Sequence, residues 1–142
     1  SDYQVGEPEI GNILRAVDVA FEFEVNALMR KDSLHMTAAD RGSIRSVVEN
    51  SDARFVLITH GTDSIVATAR VLMDVPGKVI VLTGALHPAR FRDSDAVFNI
   101  GSAVGAVQCL PEGAWIVMNG RVWNPLEVRK NVEANRFETG GD

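Results

Sequence analysis

The chain has 142 residues and a formal net charge of −5, from 14 basic and 19 acidic side chains. Its 46% hydrophobic and 23% charged residues are the balance of an ordinary globular chain, and the length suggests one domain. No run approaches the roughly 20 apolar residues that span a bilayer, and no basic stretch is long enough to track a phosphate backbone, so membrane and nucleic-acid partners are not expected.

The opening Ser-Asp-Tyr-Gln lacks the basic-then-apolar run of a signal peptide. Residues 7–17 read as a helix: Pro8 suits a first turn, and Ile10, Ile13, Leu14 and Val17 share a face. Residues 21–28 alternate Phe21, Phe23, Val25 and Ala27 with Glu22, Glu24 and Asn26, the pattern of a half-buried strand. Thr37 precedes a helix to about Asn50, with Asp40 placed to complete a capping box. Residues 55–59, Phe-Val-Leu-Ile-Thr, form a continuous apolar run, as a central parallel strand covered on both faces requires. A helix from about Ser64 to Met73 follows, and residues 79–83 repeat the strand signal. Asp95 reads as the cap of a helix running to Leu110. Cys109, the only cysteine, excludes an internal disulfide and fits a small buried core position in a cytoplasmic protein. Residues 114–118 form a further strand, and Asn119-Gly120 marks a tight turn into Arg121-Val122-Trp123. Strands alternating with helices predict an α/β fold with a three-layer, doubly wound and mainly parallel sheet.

Small and polar residues follow each strand, which is where open α/β sheets bind ligands. Residues 30–33 follow the first strand, 60–64 the second, Gly84-Ala85 the third and Asn119-Gly120 the fourth. Thr62-Asp63-Ser64 lies between a strand and a helix start, where free N–H groups and the helix dipole favour an anion. A substrate carboxylate or a developing oxyanion suits that position, and Gly61 permits close backbone approach. The same segment also reads as a helix cap at Asp63 or Ser64. Lys130 reads either as a solvated surface group or, beside a hydroxyl, as a base. His35, His60 and His87 have no zinc-ligand spacing and read as structural histidines. No GxxxxGK[ST], GxGxxG or GxSxG string occurs, so neither a nucleotide loop nor a nucleophile elbow is expected.

Five segments, in order, resemble the amino-terminal domain of the L-asparaginase family. Residues 58–64, Ile-Thr-His-Gly-Thr-Asp-Ser, are similar to its signature strand and loop. Residues 32–37 look like its DS-x-x-M-T substrate loop. Residues 81–85 with Pro88, then Ser94, Asp95 and Asn99, resemble its V-L-T-G-A-x-x-P…S-D-x-x-x-N block. Val128-Arg129-Lys130 resembles the segment carrying its catalytic lysine, and residues 3–6 the end of its mobile lid.

The resemblance implies hydrolysis of the side-chain amide of asparagine, and glutamine besides, to the acid and ammonia through an acyl-enzyme. By carry-over, Thr62, Asp63 and Lys130 correspond to the family's threonine–aspartate–lysine triad. Thr62 would position or activate the nucleophile, Lys130 would hold or accept its proton, and Asp63 would bind the substrate's α-amino group. Ser33 would hold the α-carboxylate, Ala85 would lie beside the reacting amide, Gly61 and Leu34 would line the site, and Tyr3 would be the lid tyrosine. Leu34 departs from a position that is often polar. The family's T-G-G-T strand and loop, with the primary nucleophilic threonine, belongs just upstream of Tyr3 and is expected there in the complete gene product; Thr139-Gly140-Gly141 is at the wrong end. The family's carboxy-terminal domain is likewise not among these residues. No metal or organic cofactor is implied. A small amino-acid substrate and a homodimer or higher homo-oligomer are. The alternatives are an inactive module binding small dicarboxylic amino acids and a structural subunit.

Overall fold

A computed structural model of the chain describes residues 9–28, 35–87 and 95–141. The chain falls into two compact units, Ser1–Arg30 and Lys31–Asp142. In the first, helix α1 spans Glu9–Ala16, inside the predicted 7–17. Ile10 and Leu14, one turn apart, are buried, whereas Val17 lies beyond the last turn and is exposed. Residues 21–28 do not form the predicted strand. Their alternation survives only as exposure: Phe23 and Val25 are half-buried between exposed neighbours. Alternation orients side chains, but a strand also needs a partner for its backbone groups, and no described strand pairs with this segment.

The second unit carries the α/β fold. Helix α2 (Ala38–Asn50) starts at Thr37, which with Asp40 forms the reciprocal capping box that their spacing predicts. Strand β1 (Phe55–Thr59), helix α3 (Ile65–Leu72), strand β2 (Val79–Thr83), helix α4 (Ala96–Val107) and strand β3 (Gly113–Met118) follow. The three strands are parallel and adjacent in chain order, with Phe55 opposite Val79 and Val79 opposite Gly113. Strand β4 (Arg121–Trp123) adds antiparallel to β3 across Asn119-Gly120, both at positive φ (56° and 75°), as a primed hairpin turn requires. Of the two inner strands, β2 has all five of its residues buried. Contrary to expectation, β1 stands at the edge of the described sheet and its middle residues are only half-buried.

Ala103 and Val107 of α4 pack with Val79, Val81 and Val117 on one face of the sheet. Ile80, Leu82 and Ile116 alternate with these and are buried on the other face, where α3 packs against β2 and β3 and α2 packs against α3. The layers are therefore α/β/α. Adjacent parallel strands with crossover helices on opposite faces require crossovers of opposite hand. One of the two is thus left-handed, against a right-handed preference of about 98%.

Helix α4 ends before the predicted Leu110, so Cys109 falls in the following turn and is exposed rather than buried. A last hairpin, β5 (Val128–Asn131) and β6 (Arg136–Thr139), forms its own two-stranded sheet. Its turn is built by asparagines: Asn131 Oδ1 accepts from the Ala134 amide at 3.0 Å, and Asn135 takes φ 51°. No helix among the described residues is long and apolar enough to cross a membrane.

Candidate active site

The carboxyl ends of β1 and β2 lie side by side, with Thr59 opposite Thr83. The His60 amide extends this ladder by donating to Thr83 O at 2.9 Å. The two loops leaving these strands are therefore in contact from their first residue. Gly84 makes this possible: a Cβ there would stand 2.3 Å from His60 O and 3.4 Å from the Thr62 methyl. No other residue fits without moving one of the loops.

The His60 ring ties the β1 loop to α3. Its Nδ1 is 2.7 Å from Gly61 O and its Nε2 2.8 Å from Thr68 Oγ1. A carbonyl only accepts, so Nδ1 carries the proton and Nε2 accepts from the Thr68 hydroxyl. Burial pushes the pKa of His60 down and Arg41 reinforces this, while the Gly61 carbonyl opposes it.

From this held backbone Thr62 and Asp63 project at the start of α3. Lys130 reaches them from β5, 68 residues away in sequence. Its Nζ donates to Thr62 Oγ1 at 2.7 Å and to Asp63 Oδ1 at 2.8 Å. Thr62 is 8% exposed, and the side chains of Lys130 and Asp63 are 12% and 33% exposed. The capping reading of the loop therefore gives way: Asp63 is committed to Lys130, and Ser64 at the N-cap makes no side-chain cap hydrogen bond. The surface reading of Lys130 gives way with it.

Besides Lys130 itself and a 3.5 Å contact of Asn135 Nδ2 with Leu86 O, two shorter contacts hold the hairpin that delivers Lys130. Arg70 Nε on α3 donates to Pro125 O at 2.9 Å, just before β5. The Phe137 amide on β6 donates to Asn119 Oδ1 at 2.9 Å, in the β3–β4 turn. Lys130 pairs with Phe137 in the hairpin ladder. One helix thus starts at the Thr62–Asp63 loop and also tethers the segment carrying the lysine.

Ala85, half-buried, follows Gly84 on the β2 loop. That loop is braced from α4. Asp95 accepts from the Leu86 amide through Oδ2 (2.9 Å) and from the His87 amide through Oδ1 (3.0 Å). Asn99 donates to Gly84 O and to Asp95 Oδ2, both at 2.9 Å. Asp95 heads α4 as expected but makes no cap bond; its carboxylate faces the loop instead. The structure thus brings Gly61, Thr62, Asp63 and Lys130 together and sets Ala85 on the adjoining loop. Tyr3, Ser33 and Leu34 lie outside the described residues. The holding residues His60, Thr68, Gly84 and Asn99 carry no chemical signature of their own; the V-L-T-G-A…S-D…N order hinted at Gly84 and Asn99, the 58–64 segment at His60, and nothing at Thr68. Among the described residues no group of three or more histidine, cysteine or acidic side chains could hold a metal.

A lysine, a buried threonine and an aspartate thus meet at the strand ends of an α/β/α sheet. The chain belongs to the asparaginase family: residues 2–139 match the model for "Asparaginase, N-terminal". It is 30% identical over 144 aligned residues to L-asparaginase 2 of Escherichia coli K12, covering 92% of this chain and 40% of that protein. To a subunit of the glutamyl-tRNA(Gln) amidotransferase of Methanococcus vannielii it is 38% identical over 85 residues, covering 56% of this chain and 19% of the relative. It is 25% identical to a glutaminase-asparaginase of Pseudomonas fluorescens over 103 residues, 28% of that protein's length. The fold matches that of a probable cytoplasmic L-asparaginase from Campylobacter jejuni with a TM-score of 0.80 at 21% identity, over 98% of this chain and 48% of the other. The chain spans less than half the length of each of these proteins.

Proposed function

We propose that this domain forms the catalytic half of an amidohydrolase that cleaves the side-chain amide of L-asparagine, with glutamine as second substrate. The observation that carries the reading is the meeting of Lys130 Nζ with Thr62 Oγ1 and Asp63 Oδ1. For turnover Lys130 first gives up its ammonium proton; its neutral amine then takes the Thr62 proton while Thr62 Oγ1 takes that of the attacking hydroxyl, which adds to the amide carbonyl. The proton held by the Thr62–Lys130 pair passes to the leaving nitrogen, which departs as ammonia as the acyl ester forms. Water then cleaves the ester to the acid and restores the hydroxyl. Asp63 has one oxygen on Lys130 and lone pairs left for a substrate ammonium. The start of α3 offers amide donors and a positive dipole end to a carboxylate or oxyanion. Ser33, Leu34 and Tyr3 complete the site in this proposal, which needs no cofactor. It acts in the cytoplasm as a homo-oligomer.

The test is ammonia release from asparagine and glutamine by the complete gene product, with Thr62→Val and Lys130→Met as comparisons. Release that both substitutions abolish is the expected result. Aspartate binding in calorimetry without turnover of any amide would instead identify a binding module. A second reading, an amidase component of a larger assembly, draws on the match to the amidotransferase subunit of Methanococcus vannielii. Co-purification of a partner on which ammonia release depends would favour it.

A further inference from the structure

Besides Lys130, which grips the Thr62 and Asp63 side chains, three contacts made by the preceding His60 fix the course of their loop. The strand side holds it through the His60 amide on Thr83 O, and the β2 loop through the close approach of Gly84 to His60 O. On the helix side the only hold among these three made by a side chain is the His60 ring, between Gly61 O and Thr68 Oγ1. That ring is also the one titratable group among the three. We infer that His60, as a neutral imidazole with its proton on Nδ1, is a positioning residue for Thr62 and Asp63, and that a second proton on its ring releases their loop and stops turnover. The inference rests on the proposed amide hydrolysis for its kinetic arm only.

The chemistry of the ring's surroundings gives the reason. A second proton goes to Nε2 and turns an acceptor into a donor. Thr68 must then rotate its hydroxyl to accept, and the other group within reach of that hydroxyl is the Met36 sulfur at 4.0 Å, a weak acceptor. The charge sits in a site that is 9% exposed. Arg41 on α2 repels it. Asp63, on the same loop, is already engaged by Lys130 from β5. At the ring α3 presents the Thr68 hydroxyl, while Thr83 and Gly84 of β2 and its loop meet the His60 backbone; none of them is charged. Among the described residues no free anion answers the new cation, so the ring gains by moving toward water, and Gly61 and Thr62 move with it. Misplacing a catalytic group by about 1 Å can lower the rate about 100-fold.

The experiment uses the complete gene product and asparagine, followed from about pH 5 to pH 8, with His60→Asn and His60→Phe. Asparagine keeps a donor near the Nδ1 position and does not titrate; phenylalanine keeps neither hydrogen bond. The expected result is a wild-type kcat that falls on the acid side while KM holds. His60→Asn should lose that acid limb and keep kcat within about 10-fold, and His60→Phe should fall about 100-fold. An unchanged acid limb in His60→Asn, or full kcat in His60→Phe, would overturn the assignment. A readout independent of turnover is the amide NMR spectrum of Gly61, Thr62 and Asp63. These signals should shift with the titration of the His60 ring and stay still in His60→Asn. Signals indifferent to that titration sink the inference even if no amide is hydrolysed. Coupled signals without ammonia release would sink the proposed function alone.

Discussion

Replacing Lys130 by methionine removes the ammonium while keeping the length and apolar stem of the side chain. It leaves Thr62 Oγ1 and Asp63 Oδ1 without the donor now at 2.7 and 2.8 Å. Breaking a fully buried ion pair costs about 3–5 kcal/mol because a charge is stranded. Asp63 is not stranded to that degree: its side chain is 33% exposed, and water can replace the lost donor. Thr62, 8% exposed, is the less easily rehydrated partner. The expected loss of stability is therefore about 1–2 kcal/mol, near that of an ordinary unmade hydrogen bond. In a domain of this size that lowers Tm by roughly 3–10 °C. Activity should fall much further, by about 10²–10⁴-fold in kcat/KM, the range for a positioned proton-transfer group. Calorimetric melting and an ammonia-release assay on the same preparation separate the two effects. A variant that melts several degrees early yet keeps its rate within threefold would refute the reasoning: Lys130 would then be a structural tie between the hairpin and α3.

Gly84→Ala puts a methyl 2.3 Å from His60 O, so one of the two loops must retreat; a loss of about 1–3 kcal/mol in urea unfolding is expected, together with a drop in kcat. Wild-type stability that survives intact would mean the loops are less closely apposed than described. Asp95→Asn keeps one carbonyl acceptor where two oxygens now serve the Leu86 and His87 amides. Hydrogen exchange at one of those amides should rise while the sheet amides stay protected, with about 1 kcal/mol lost overall. The lowered pKa of His60 links stability to pH. A group that resists protonation when folded contributes stability that is fully present above the unfolded imidazole pKa of about 6.5. That contribution is lost as pH falls below 6.5 and through the lower folded pKa. The depressed pKa values of Asp74 and Glu138 act with the same sign only in the carboxylate range further down. Urea midpoints measured between about pH 7.5 and 5 should therefore decline in the wild type and much less in His60→Asn; equal slopes would contradict the burial of the ring.

Local signals determined much of this protein. The strands at 55–59, 79–83 and 113–118 and their helices were legible because apolar period, caps and turn residues act within a few positions. The Thr37–Asp40 box and the Asn119-Gly120 turn behave as their chemistry requires, since each is complete within its own segment. The order of short motifs joined Thr62, Asp63 and Lys130 only through the resemblance to the asparaginase family. Where an outcome depends on a distant partner, local pattern misleads. Residues 21–28 alternate yet pair with no described strand, and Asp95 reads as a cap yet braces the neighbouring loop. The β5–β6 hairpin is short, polar and announced only by Asn131 and Asn135, and its Lys130 is indistinguishable in sequence from a surface lysine. Only the tertiary structure decided that Lys130 enters the site, because that depends on Arg70 holding Pro125 and Asn119 holding Phe137 across the fold. Contacts between residues 18 to 68 positions apart leave no periodicity for a sequence to display.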